Sequence, residues 1–164
     1  MTTIQGKLWK FGDNIDTDII IPANRLVLPL EEMKAYAMAP VDPEFSMKVA
    51  MGDIIVAGRN FGCGSSREQA VAVLKALGIK AIISKGFARI FYRNAINLGL
   101  PVIECPDIFE HVVQGESIII SPIDGRIHVP ENDETFTGSQ LPDFLLEIIH
   151  AGGLIPYLEG SNKV

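Results

Sequence analysis

The chain has 164 residues, 48% of them hydrophobic and 21% charged, with a formal net charge of −6 at pH 7. That composition excludes a disordered chain, and the acidic balance argues against a binder of nucleic-acid backbones. The length predicts a single domain over residues 1–164, large enough to bury a core.

In chain order, residues 6–11 read as a first strand. A polar run follows, Asp13-Asn14-Ile15-Asp16-Thr17-Asp18, and then three isoleucines that Pro22 stops. Residues 30–38 predict a short helix, and residues 39–46, with Pro40 and Pro43, an irregular segment. Residues 53–57 predict a buried strand leading into a glycine-rich loop. A helix is expected over residues 66–77, where Ala70, Val73, Leu74 and Leu77 fall at i, i+3, i+4 and i+7 and Gly78 ends the pattern. Residues 81–84 predict a strand, 87–98 a helix closed by Gly99, and 102–104 another strand. This alternation predicts a parallel sheet of βαβ units. Further on, residues 117–121 and 126–129 flank Asp124-Gly125, a two-residue hairpin signal. A polar loop over 131–140 then precedes a last helix, opened by Pro142 and closed near Gly152. The fold class is therefore α/β, a mixed sheet with a parallel centre and added antiparallel strands.

Several function classes drop out. Residues 1–10 lack the apolar stretch of a signal peptide, and no uncharged apolar run is long enough to span a membrane. Two cysteines, Cys63 and Cys105, cannot supply the thiolates of a zinc or iron–sulfur site, and they form no disulfide framework, which fits a reducing cytoplasm. His111, His128 and His150 show no ligand spacing, so no metal is expected on this chain.

The loop over residues 58–68 carries the most chemistry. It lies between a strand and a helix start, where free amides and the helix dipole favour anions. Gly62 and Gly64 let the backbone approach a ligand, so the amides of Gly62, Cys63 and Gly64 form a candidate anion nest. Ser65, Ser66 and Arg67 add two hydroxyls and a guanidinium. A structural reading stands beside this one, since Ser65 with Glu68 and Ser66 with Gln69 both fit a capping box. Two nucleotide motifs fail: Arg67 occupies the place of the third dinucleotide-fingerprint glycine, and no Gly-Lys-Ser/Thr sequence exists. Asp16-Thr17-Asp18 reads as an Asx-rich turn; as a calcium loop it lacks the required glycine and glutamate.

Three stretches, residues 12–23, 58–68 and 87–101, closely resemble the small-subunit, or swivelling, domain of the aconitase superfamily. The likeness runs from about residue 6 to residue 157, in the family's order, and is strongest to the free-standing small subunits of isopropylmalate-type and homoaconitase-type enzymes. The resemblance implies a swivelling β/β/α domain. It also implies a large partner subunit that holds a [4Fe–4S] cluster on three cysteines, with no cofactor bound by this chain. The implied activity is a cytoplasmic hydro-lyase, active only with that partner, which dehydrates a 2-hydroxy acid and rehydrates the alkene as its isomer. The favoured substrate is isopropylmalate, on the route to leucine. A homocitrate-type acid or a dimethylmalate is the alternative, and a non-catalytic anion-binding module is the reading from a different class.

By the same resemblance, Ser65 matches the base that takes a proton from carbon, while Ser66 and Arg67 match residues that bind a substrate carboxylate. Asp18 matches an aspartate lining the site near the base. A serine is a poor base near neutral pH, so its alkoxide needs stabilising, which the nest and Arg67 are expected to do. Ser65 is expected to cap the helix as well. Arg67, as a bidentate fork on carboxylate, predicts that Arg67→Lys mainly raises KM. Substrate choice falls to the loop after Pro22. Leu26, Val27 and Leu28 are expected as an apolar wall for an isopropyl group, with Arg25 a cation that a shift in register would bring into the pocket. Arg89 and Arg93 share a helical face, Cys63 reads as a small buried filler, and Gly86 stands where the family usually has serine.

Overall fold

The structure, a computed structural model, describes residues 3–161; the expected span of 1–164 extends past them at both ends. Seven strands form one sheet in the order β4-β3-β2-β1-β5-β6-β7. The first four are β1 (Ile4–Phe11), β2 (Ile54–Ala57), β3 (Ala81–Ser84) and β4 (Val102–Glu104), and all their pairings are parallel. On the other side of β1, β5 (Ser117–Ser121), β6 (Arg126–Val129) and β7 (Glu134–Thr137) add antiparallel. The α/β class and the mixed sheet are as the sequence predicts.

The strand residues show why the two halves differ. Every side chain of β2 and β3 is buried, because parallel strands are covered on both faces. Ile55, Ala57 and Ile82 join one apolar cluster with Leu74, Phe91 and Ile96 of the helices. Their neighbours Ile54, Val56 and Ile83 join a second cluster with Ile118, Ile120, Ile127 and Val129 of the antiparallel strands. β5 and β6 bury only alternate residues, as strands with one wet face do.

Seven helices accompany the sheet among the described residues. Three are single turns: α1 (Thr17–Ile20), α2 (Leu30–Met33) and α3 (Phe45–Lys48). The longer ones are α4 (Gln69–Ala76), α5 (Arg89–Asn97), α6 (Asp143–His150) and α7 (Leu154–Ser161). No helix among the described residues is long and apolar enough to cross a membrane.

Several expectations need correction. The helix predicted over 30–38 is one α-turn that tightens into 3-10 geometry at Lys34–Tyr36, and the irregular segment holds the start of α3. The Asp124-Gly125 turn is a four-residue loop, since Ser121 pairs with Arg126 and the Gly125 amide reaches back to the Ser121 carbonyl. The polar loop over 131–140 contains β7, where exposed Thr135 and Thr137 alternate with half-buried Glu134 and Phe136, a strand pattern only four residues long. α7 is a second terminal helix, beyond the glycine pair that closes the first.

Candidate active site

β1, β2 and β3 run parallel, so their carboxyl ends lie along one edge of the sheet, where open α/β sheets place ligands. The three loops that leave this edge are stitched to one another. The Asn14 amide donates to the Arg59 carbonyl at 2.8 Å, Gly62 to Ile15 at 2.7 Å, and Thr17 to Cys63 at 2.8 Å. The third loop joins through Phe61 to Gly86 at 3.0 Å and Ala88 to Phe61 at 2.9 Å. Asp13 Oδ1 accepts the Arg59 amide at 2.7 Å, and the buried Ser84 hydroxyl donates to the Gly58 carbonyl at 2.6 Å.

Gly62 adopts φ +81°, and a β-carbon there would lie 2.1 Å from Cγ of Phe91. Only glycine allows the loop to press so closely onto α5. Gly64, at φ +104°, turns the chain so that Ser65 faces Thr17.

Ser65 is held on three sides. Its amide donates to Thr17 Oγ1 at 3.0 Å, its own hydroxyl oxygen lies 3.2 Å from that same Oγ1, and Arg67 Nε donates to it at 2.6 Å. Either hydroxyl of this pair can donate to the other. A deprotonated Ser65 Oγ would accept from both Thr17 Oγ1 and Arg67 Nε, which stabilises that form. Arg67 Nη1 also donates to Asp18 Oδ1 at 2.7 Å and to the Ile21 carbonyl at 3.2 Å. The Arg67 side chain is only 16% exposed, whereas that of Asp18 is 65% exposed.

The structure alters four of the readings expected from sequence. Ser65 does not cap the helix: α4 starts at Gln69, Glu68 precedes it, and no side chain caps that end. The cap in this region belongs to Asp16, whose Oδ1 accepts the Ile19 amide at 2.8 Å to open α1. Of the nest amides, that of Gly62 is spent on Ile15. Those of Cys63 and Gly64 meet no acceptor among the described residues. Arg67 is not a free fork either, since Nε and Nη1 are occupied, which leaves Nη2 and Ser66 to meet a carboxylate. Cys63 is part-exposed rather than buried, and partial desolvation together with the Asp16 carboxylate pushes its thiol up, keeping it protonated.

The loop after Pro22 does not present a three-residue wall. Leu26 and Leu28 pack inward on the core cluster, and only Val27 stands out, 88% exposed. Arg25 folds over the Tyr36 ring, 4.0 Å from its centroid.

Sequence reasoning passed over Thr17, whose partner Ser65 lies 48 positions away. It also passed over Asn94, which donates to the Ser66 carbonyl at 3.1 Å. The i, i+4 pair Arg89 and Arg93 was legible, but not its place: both line the cleft that holds Gly62, Gly64 and Ser65. Two separated cysteines cannot hold an iron–sulfur cluster, and no group of three His, Cys, Asp or Glu among the described residues is placed to hold a metal.

Comparison with known proteins fits this geometry. Residues 13–107 match the aconitase C-terminal domain. The isopropylmalate/citramalate isomerase small subunit of Methanocaldococcus jannaschii is 52% identical over 95% of this chain and 94% of its own length. The 3-isopropylmalate dehydratase small subunit of Halothermothrix orenii is 45% identical over 98% of each. A crystal structure of 3-isopropylmalate dehydratase from Methanocaldococcus jannaschii superposes with a TM-score of 0.93 at 44% identity, covering 99% of this chain and 96% of that one.

Proposed function

We propose, because this chain belongs to the aconitase C-terminal domain family, that it is the small subunit of a two-chain hydro-lyase of the 3-isopropylmalate dehydratase type. The whole chain acts as one such domain, in the cytoplasm, on the route to leucine. The single observation that carries the reading is the Ser65 hydroxyl, pinned between Arg67 Nε at 2.6 Å and Thr17 Oγ1 at 3.2 Å.

Ser65 takes the proton from the carbon next to the departing hydroxyl, and Arg67 and Thr17 hold the oxygen as an alkoxide while it waits. Asp18 keeps Arg67 aimed and neutralises it, so the guanidinium serves the base first. Ser66 and the remaining Nη2 of Arg67 receive a substrate carboxylate. This chain has no ligand set for an iron–sulfur cluster, so the cluster and the handling of the hydroxyl group belong to the large subunit.

The substrate is a malate carrying a small apolar substituent at its variable carbon. Val27 meets that substituent, and Arg25, engaged with Tyr36, leaves a homocitrate-type carboxylate without a cation. A second reading has one observation in its favour. The 52%-identical relative is named for citramalate as well as isopropylmalate, and a wall of one exposed valine does not clamp the substituent. The same site would then turn over both acids.

Reconstitution tests the proposal. The purified chain alone should show no turnover and no iron, and mixing it with a cluster-bearing large subunit should give isopropylmalate dehydration. Val27→Arg should narrow the preference over homocitrate by about tenfold or more. Absence of turnover with every large aconitase-type partner would sink the assignment in favour of a non-catalytic anion-binding module.

A further inference from the structure

We propose that Arg89, Ile90 and Arg93 form a docking ridge for an acidic segment of the large subunit that carries an apolar anchor; the inference rests on the small-subunit reading above. Both arginines are exposed, and neither takes part in any ion pair among the described residues. Glu104 lines a cleft with both, yet lies outside ion-pair distance. Arg89 and Arg93 stand one helical turn apart on α5, so their two exposed charges add at one place on the surface and can meet the carboxylates of an outside partner.

Their position sharpens the argument. Arg89 is the first residue of α5, whose N-terminal end has no side-chain cap. A helix start repels cations and attracts anions, so the guanidiniums sit where the helix itself favours a carboxylate. Ile90 lies between them in sequence and is 49% exposed. The same two arginines also line a second depression of about 620 Å³ along α5 and α6, with Phe87, Ile96, Leu145 and Ile148, where Phe144 is 60% exposed. Arginine beside exposed aromatic and aliphatic surface is the composition of an interface centre. A small dicarboxylate at Ser65 would leave Ile90 and Phe144 wet. A protein segment covers them, its carboxylates on Arg89 and Arg93 and its apolar side chain in the α5–α6 depression.

The test is the dissociation constant between this chain and its cognate large subunit, at low and high salt. Four forms are compared: wild type, the charge reversal Arg89→Glu/Arg93→Glu, the charge-conserving Arg89→Lys/Arg93→Lys, and Phe144→Ser. Charge reversal should weaken binding about 100-fold and flatten its salt dependence, while the lysine pair stays within about fivefold. Phe144→Ser should weaken binding about tenfold at both salts. Melting temperatures should match wild type, and Phe144→Ser, which lies outside the Ser65 cleft, should leave kcat and KM at saturating partner unchanged. Unchanged binding on charge reversal overturns the inference. Raised KM with unchanged binding overturns it too, and assigns the arginines to the substrate. Failure of wild type to bind any large subunit overturns the small-subunit reading and this inference with it.

Discussion

At Ser65 the chemistry turns on who donates to one oxygen. Its amide is satisfied by Thr17, so replacing the hydroxyl removes the base without undoing the loop. Ser65→Ala should therefore cost about 1 kcal/mol of stability, the worth of the lost hydrogen bond, while turnover of the assembled enzyme falls by roughly 10³ or more. Retained turnover would take the proton from some other group. Arg67 then behaves differently from its reading in sequence. A lysine cannot hold Ser65, Asp18 and the Ile21 carbonyl at once, because its single ammonium replaces a planar fork with three aimed donors. Arg67→Lys should lower kcat by about 10²-fold as well as raise KM, which steady-state kinetics with saturating partner will separate. An effect confined to KM would return Arg67 to carboxylate binding alone.

Among the elements, the loop that leaves β2 depends on its contact with α5. Gly62→Ala would force a β-carbon into the Phe91 ring and fix a left-handed φ on a residue that resists it, so a loss of about 2–4 kcal/mol is expected in thermal or denaturant unfolding. Gly86 offers the opposite case. Nothing lies within 4 Å of a β-carbon there and its φ is not left-handed, so Gly86→Ser should leave stability within about 0.5 kcal/mol. The periodic helices and apolar strands around these loops were legible in sequence because their burial is written locally, at spacings of 2 and 3.6 residues. The helix start at Gln69 was not. The serine pattern at 65–69 imitates a cap, and what draws Ser65 away is Thr17, a partner that no window of sequence contains. The inward turn of Leu26 and Leu28 escaped for a like reason: an apolar triplet says that something is buried, not which of its members. β7 escaped through its length: Thr135, Phe136 and Thr137 suit a strand, but so short a run among polar loop residues does not stand out until β6 pairs with it.

For the molecule as a whole, β1 is the seam. It pairs parallel with β2 and antiparallel with β5, so the half that carries the site and the half that carries the hairpin meet only through this strand in the sheet. The second apolar cluster lies across the same seam, with Leu8, Ile54, Val56 and Ile83 closed off by Ile118, Ile120 and Ile127. A chain ended after residue 112 retains every strand of the parallel half but loses that cover. It should bind a hydrophobic dye strongly and melt without a sharp transition, whereas the full chain should bind little dye and melt sharply. A sharp transition would mean that the parallel half stands alone.

The same seam sets an order on synthesis. The Lys7 ammonium reaches Ser117 across 110 positions, so β1 leaves the ribosome well before β5 and waits for it before both its edges are paired. During that interval the loops around Ser65 can already have formed, while one greasy face of the nascent sheet is still open to water. At about 5–20 residues per second the gap lasts roughly 5–20 seconds, long enough for a holdase to bind or for two unfinished chains to meet through the bare edge of β1. The cell thus handles a half-covered sheet each time it makes this protein, and its yield under heat or overproduction should depend on chaperone supply more than the stability of the finished fold would suggest.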